Sequence, residues 1–391
     1  MRRPFGLVVC GLDTYSPNRL PCGRQCHGAQ RCRLEPAAAG GATFRAMNER
    51  PPSRPRKVVP IAEAAERRRE KVRRKERQDL ADATEALAGE PDAASHFTML
   101  GNMALVERAF EDAIEPFSRA LSIAQDDVSA RAGRGRAYAA LGEHALALAD
   151  FTRAAALAPR QPMHHLGRAN ALALLGRMKE AVAAASRAIQ VAPDHAGAHY
   201  TRAVYRSQID LDDPGVRADL DRTVQLAPHE APYLRARADY LMAGEEYDLA
   251  LSDIDRALAI APGDAQLHYL RGKCLTEPLS FIWNHATQQQ VFAEEHQPRC
   301  EAAVVSLERA LDLAPKEGEL CESIHYALVG ARELMPDRDA LHATIDRALE
   351  VMPDDMGLLA IRHDRRRAWG DLDGAESDRK RLLELGYQPR D

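Results

Sequence analysis

From residue 92 onward, apolar residues recur three and four positions apart in runs of about 13, separated by short polar turns. The runs come in pairs, and the pairs repeat. The prolines that close them are Pro159, Pro193, Pro228, Pro262, Pro315 and Pro353, with successive gaps of 34, 35, 34, 53 and 38 residues. The two long gaps are the basic period with insertions of 19 and 4 residues. Each proline follows a stereotyped segment, such as Arg153-Ala154-Ala155, Arg187-Ala188-Ile189 and Arg256-Ala257-Leu258. Proline cannot continue a helical hydrogen-bond ladder and biases its predecessor away from helix, so it marks where each second helix stops.

Small residues recur in register with the prolines. One series is Gly101, Gly135, Ala169, Ala203, Ala238 and Gly272; a second is Ala113, Ala147, Ala181, Ala250 and Ala303. Phe117, Phe151, Leu220, Ile254 and Leu307 follow the second series. This pattern predicts two helices that cross closely at the small residues, with a bulky side chain filling the space beside the crossing. A lone hairpin cannot bury its apolar face, whereas stacked hairpins can.

The spacing and marks resemble the tetratricopeptide repeat, a 34-residue unit with the pattern W-x2-L-G-x2-Y, A-x3-F, A and P. Residues 128–161 carry Gly135, Tyr138, Gly142, Ala147, Phe151, Ala154 and Pro159; residues 94–127 carry Phe97, Leu100, Gly101, Ala113, Phe117 and Ala120, with Gln125 in place of the proline. Further units fall at 162–195, 196–230, 231–264, 265–317, 318–353 and 356–389, and the array spans 92–390. The resemblance implies an all-α, right-handed superhelical α-solenoid of about seven or eight helix-turn-helix repeats.

The resemblance also implies a concave groove lined by the first helices, binding a peptide or helical segment of another protein without catalysis. The corresponding groove positions are Asn102, Arg136, Asn170, Tyr200, Arg235, Asp239, Tyr269 and Lys273. Relatives that clamp a chaperone's C-terminal carboxylate place Lys, Asn, Asn, Lys and Arg at set positions. Here the run is Thr98, Asn102, Gly133, Met163 and Gly167, so only Asn102 fits. Arg134, Arg168, Arg202, Arg237 and Arg271 also recur in register; they read as structural, with stems packed between helices and heads reaching neighbouring acids.

Charge divides the chain. Residues 1–80 hold 19 Lys/Arg and 8 Asp/Glu, leaving 34 basic and 50 acidic residues, or −16, for 81–391. Residues 1–59 show no sustained apolar period and read as a basic, disordered tail; Met47 is a candidate start within it. Residues 60–90 read as a charged helix and linker, with Arg67, Arg68, Arg69, Lys71, Arg73, Arg74, Lys75 and Arg77 at its centre. That stretch admits a second reading, an adaptor docking on nucleic acid or an anionic membrane, although no aromatic residue interleaves for base stacking. A third reading is an accessory domain for an enzyme whose chemistry lies on another chain.

The sequence predicts no enzyme, cofactor or metal site. It has no Gly-rich phosphate loop, nucleophile elbow or HExxH helix. Cys22, Cys26, His27 and Cys32 do not follow a usual zinc spacing, and Asp212-Asp213 and Asp354-Asp355 fall in predicted turns. The odd cysteine count, seven, predicts a reducing compartment and a cytoplasmic location. The insertion at 276–297 contains Phe281, Trp283 and Phe292, which read as packing on their own repeat or as a lip for a partner.

Overall fold

The computed structural model describes residues 92–279 and 296–387, together with the backbone of 283–284 and 289–290. The basic tail and the 60–90 helix expected from sequence lie outside the described residues, as do the side chains of Phe281, Trp283 and Phe292 in the insertion.

The chain forms sixteen α-helices among the described residues, arranged as eight successive hairpins. The first hairpin pairs α1 (Ala93–Val106) with α2 (Phe110–Ile123), and the second pairs α3 (Val128–Ala140) with α4 (His144–Leu157). Then come α5 (Pro162–Leu174) with α6 (Met178–Val191), and α7 (Ala196–Ile209) with α8 (Pro214–Leu226). The fifth and sixth are α9 (Ala231–Ala243) with α10 (Tyr247–Ile260), and α11 (Ala265–Thr276) with α12 (Gln297–Leu313). The last two are α13 (Glu319–Glu333) with α14 (Arg338–Val351), and α15 (Met356–Trp369) with α16 (Leu372–Glu384). Between α11 and α12 lies a minimal antiparallel pairing, β1 (Trp283–Asn284) with β2 (Gln289–Gln290).

The helix boundaries have local causes. Asp127, Asp213, Asp264, Asp337, Asp355 and Asp371 each precede a helix and accept hydrogen bonds from first-turn backbone N–H groups. They satisfy donors the helix leaves unpaired, which accounts for the turn acids Asp213 and Asp355 without chemistry. Inside the hairpins, Gly142 and Gly176 hold φ of +83° and +76°. The equivalent turn positions in the first and fifth hairpins hold Arg108 at +60° and Glu245 at +62°, so in the fifth hairpin the left-handed position falls on Glu245 rather than on Gly244.

The core runs along the array rather than into one centre. Ala113, Ala147, Ala181, Ala250 and Ala303 are fully buried at the helix crossings, as are Phe117, Ile254 and Leu307 beside them. A Cβ built on Gly101 or on Gly133 would collide with the Phe117 ring, so one aromatic side chain is seated by two glycines from consecutive hairpins. Each hairpin thereby shares its core with the next, which is the packing logic of a solenoid.

A second device ties the hairpins electrostatically. Arg134 Nε and Nη2 donate to Asp150 at 2.8 and 2.9 Å, and Nη1 reaches Ser118 of the preceding hairpin at 3.1 Å. Arg202 repeats this with Asp219 and Ser186, Arg237 with Asp253 and Asp221, and Arg362 with Asp378 and Asp346. Arg271 substitutes Ser306 and Asp255. Arg168 departs from the series: Ala184 stands where the acid should be, and the buried Nε has no partner. A third series joins His165, His199 and His268, whose Nε2 atoms lie 2.9, 2.9 and 3.0 Å from the carbonyls of Pro159, Pro193 and Pro262. His165 is therefore a packing residue.

Candidate interaction groove

First helices of successive hairpins touch one another at α3–α5, α5–α7 and α11–α13, while second helices approach each other less. A stack whose first helices crowd together curves with those helices on the inside. The eight groove positions predicted from sequence all lie on this inner row: Asn102 on α1, Arg136 on α3, Asn170 on α5, Tyr200 on α7, Arg235 and Asp239 on α9, and Tyr269 and Lys273 on α11.

Contacts along the row join residues about one repeat apart. Arg136 Nη2 donates to Asn102 Oδ1 at 3.3 Å, and Tyr205 Oη donates to Asn170 Oδ1 at 2.5 Å. The rings of Tyr200 and Tyr233 lie 5.2 Å apart between centroids and are tilted by 45°. Lys273 Nζ stands 5.9 Å from the Tyr269 ring centroid and 3.4 Å from Glu277. Spacings of 33 to 35 residues bring the first three pairs together because one repeat advances the chain to the next inner helix, whereas the Lys273 contacts are local, four residues apart.

The row also has an electrostatic character. Burial pushes the Asp239 carboxyl up to about 6, with Arg235 and Lys273 pulling the other way. Desolvation by the surrounding helices lowers Arg136, although its side chain as a whole is exposed. His164 is lowered by burial, then by His165 and Arg136, which places it beside the same inner row. Burial raises both Tyr205 and Tyr233.

At the α1 end the row opens into a cleft of about 690 Å³, lined by Ser95, Thr98, Met99, Asn102, Met103 and Val106, among others. Met99 and Met103 are 53% and 52% exposed there, and Val106 is 84% exposed. Sequence reasoning missed this apolar end, and it also missed Tyr233 as the ring partner of Tyr200. The second was within reach, since Tyr233 lies 33 residues beyond Tyr200 on the next first helix.

No group of three or more His, Cys, Asp or Glu able to hold a metal occurs among the described residues. No described helix is long and apolar enough to cross a membrane. Cys274, Cys300 and Cys321 are buried free thiols, and burial raises Cys274 to about 12. The basic cluster at 67–77 lies outside the described residues.

Paired helices, shared cores and a lined inner row define a helical-repeat scaffold of the kind that engages other proteins. Residues 78–128 and 132–204 match the tetratricopeptide repeat family. No curated protein matches it in sequence. Similar solved structures include a thermophilic tetratricopeptide-repeat protein of Thermus thermophilus, at 23% identity over 46% of this chain and 98% of that one, with a TM-score of 0.39. YrrB, described as having an unusual peptide-binding site, is 18% identical over 56% of this chain and 97% of its own, with a TM-score of 0.40. A tetratricopeptide-repeat protein of Parabacteroides merdae is 18% identical over 66% of this chain and 93% of its own, with a TM-score of 0.42.

Proposed function

We propose that this protein is a non-enzymatic scaffold that holds an extended or helical segment of a partner protein along the inner row of first helices. The observation that carries the reading is the row of polar and aromatic side chains from Asn102 to Lys273, in which Asn102 meets Arg136, Asn170 meets the buried Tyr205 and Tyr200 meets Tyr233 across adjacent repeats. Side chains on one face of stacked helices present a long surface on which a chain can be read at many points. Tyrosine and arginine are the residue types most often found anchoring such contacts.

The reading places the protein in the cytoplasm, supported by the three buried free thiols. Affinity capture with the full chain tests it, comparing the native protein with the Tyr200→Ala, Tyr269→Ala double variant. The expected result is loss of a defined set of co-purifying proteins with unchanged helical circular dichroism. An unchanged set of captured proteins would reject the inner row as the binding surface.

A further inference from the structure

Arginines in this fold are usually held by acids. Arg134, Arg202, Arg237 and Arg362 each spend two or more donors on an aspartate, and Arg153, Arg177, Arg222 and Arg381 pair with acids on the surface. Besides Arg168, two arginines among the predicted groove positions depart from this. Arg136 has only the neutral amide oxygen of Asn102, at 3.3 Å. Arg235, half-buried on α9, makes no hydrogen bond or ion pair among the described residues; it acts on Asp239 only at a distance. Tyr200, on α7, stands between these two along the row, with its ring against Tyr233 on α9, the helix that carries Arg235. The eight inner-row residues include three cations and one acid, Asp239, whose charge burial disfavours.

A guanidinium without an acid keeps an unmatched positive charge, and the half-buried Arg235 has also given up part of its hydration. An incoming carboxylate would supply that partner through paired N–H donors, in geometry that a neutral or cationic group cannot match. A tyrosine pair between two such positions offers apolar ring surface for a side chain flanked by charges. The 81–391 segment carries −16, which opposes a long polyanion but not a short segment with a few acids.

We propose that the groove's ligand is an acidic segment of a partner protein, its carboxylates seated on Arg136 and Arg235 with an aromatic or aliphatic side chain between them on Tyr200 and Tyr233. The proposal rests on the inner-row reading above and adds the chemistry of the bound segment.

A random peptide display library selected on the full-length chain tests both levels separately. The expected enrichment is in peptides bearing Glu or Asp around an aromatic or large aliphatic residue. Arg136→Gln or Arg235→Gln should weaken an enriched peptide by about tenfold, the worth of one charge-assisted contact. Raised salt should weaken it further. Neutral or basic winners that are lost in the Tyr200→Ala, Tyr269→Ala variant would overturn the acidic-segment proposal while leaving the groove standing. Winners indifferent to that variant, or no enrichment at all, would overturn both. A short single-stranded RNA that displaces the acidic winners and binds more tightly would also overturn the proposal.

Discussion

Arg237 donates from Nε and Nη2 to both carboxylate oxygens of Asp253, at 2.6 and 2.7 Å, while its remaining Nη reaches Asp221 of the preceding hairpin at 2.9 Å. One side chain thus ties the two helices of its own hairpin and a helix of the hairpin before it. Asp253 is almost wholly buried, and its charge is met there by the Arg237 guanidinium and, at 3.3 Å, by Arg256.

Removing the acid should therefore cost more than one contact. Asp253→Ala is expected to lower unfolding stability by about 3 kcal/mol, because it strands a half-buried arginine. Chemical denaturation should show a lower midpoint, and a cycle with Arg237→Ala should show strong coupling between the two changes. A loss no larger than that of an exposed pair such as Arg153–Asp126 would contradict this account.

The break in the same series gives a gain instead. Arg168 has a buried Nε without a partner, and Ala184 occupies the place that Asp150, Asp219 and Asp253 hold in other hairpins. Ala184→Asp is expected to stabilise the array by about 1 kcal/mol, the net worth of a charge-assisted hydrogen bond after desolvation. Thermal unfolding should shift upward in the native background and downward in Arg168→Ala, where the new acid has no cation.

A backbone effect is expected at Glu245, which holds φ of +62° where Gly142 and Gly176 serve in other hairpins. A side chain in the left-handed region costs about 1–2 kcal/mol relative to glycine. Glu245→Gly should stabilise by roughly 1 kcal/mol, the relief of the left-handed strain being partly offset by the greater freedom glycine gives the unfolded chain. Gly142→Ala should destabilise by a similar amount, and denaturant midpoints compare the two directly.

Asp239 sets a pH dependence. Its carboxyl titrates near 6 when folded, above the usual carboxylate range, so the folded state holds the proton more tightly than the unfolded chain does. The associated stability is full below the unfolded pKa and is lost as pH rises through about 6. Asp239→Asn should raise stability by about 2 kcal/mol at pH 7.5 and change it little at pH 4. An equal effect at both pH values would remove burial of the charge as the cause.

Much of this was readable from spacing, and the exceptions have physical reasons. The 34-residue period placed Asn102 and Arg136 in equivalent positions of adjacent repeats, and they touch. The recurring arginines were legible as packing residues that reach acids, but the failure at Arg168 was not. It becomes visible only when Ala184 is aligned with Asp150, Asp219 and Asp253 on the facing helix. The cleft at Met99 and Met103 was not legible either. Periodicity says that a methionine lies on a given helical face, not whether another helix lies over that face. Tyr233 was missed because only one residue per helix turn was assigned to the row, whereas a ring reaches across to its neighbour.

The Phe117 seat shows how tightly successive repeats constrain each other. Its ring fills the space left by the missing side chains of Gly101 on α1 and Gly133 on α3, so the two hairpins meet at one aromatic residue. Gly133→Ala places a methyl group where the ring already lies, and should cost about 1–3 kcal/mol through overpacking. Phe117→Ala empties the seat and should cost about 3–5 kcal/mol. Gly133→Ala with Phe117→Leu should recover part of the loss of the first change, because the smaller side chain yields room for the methyl group. The comparison is made by denaturant unfolding of the four proteins, and strict additivity of the two substitutions would show that the ring and the glycine do not share the space described here.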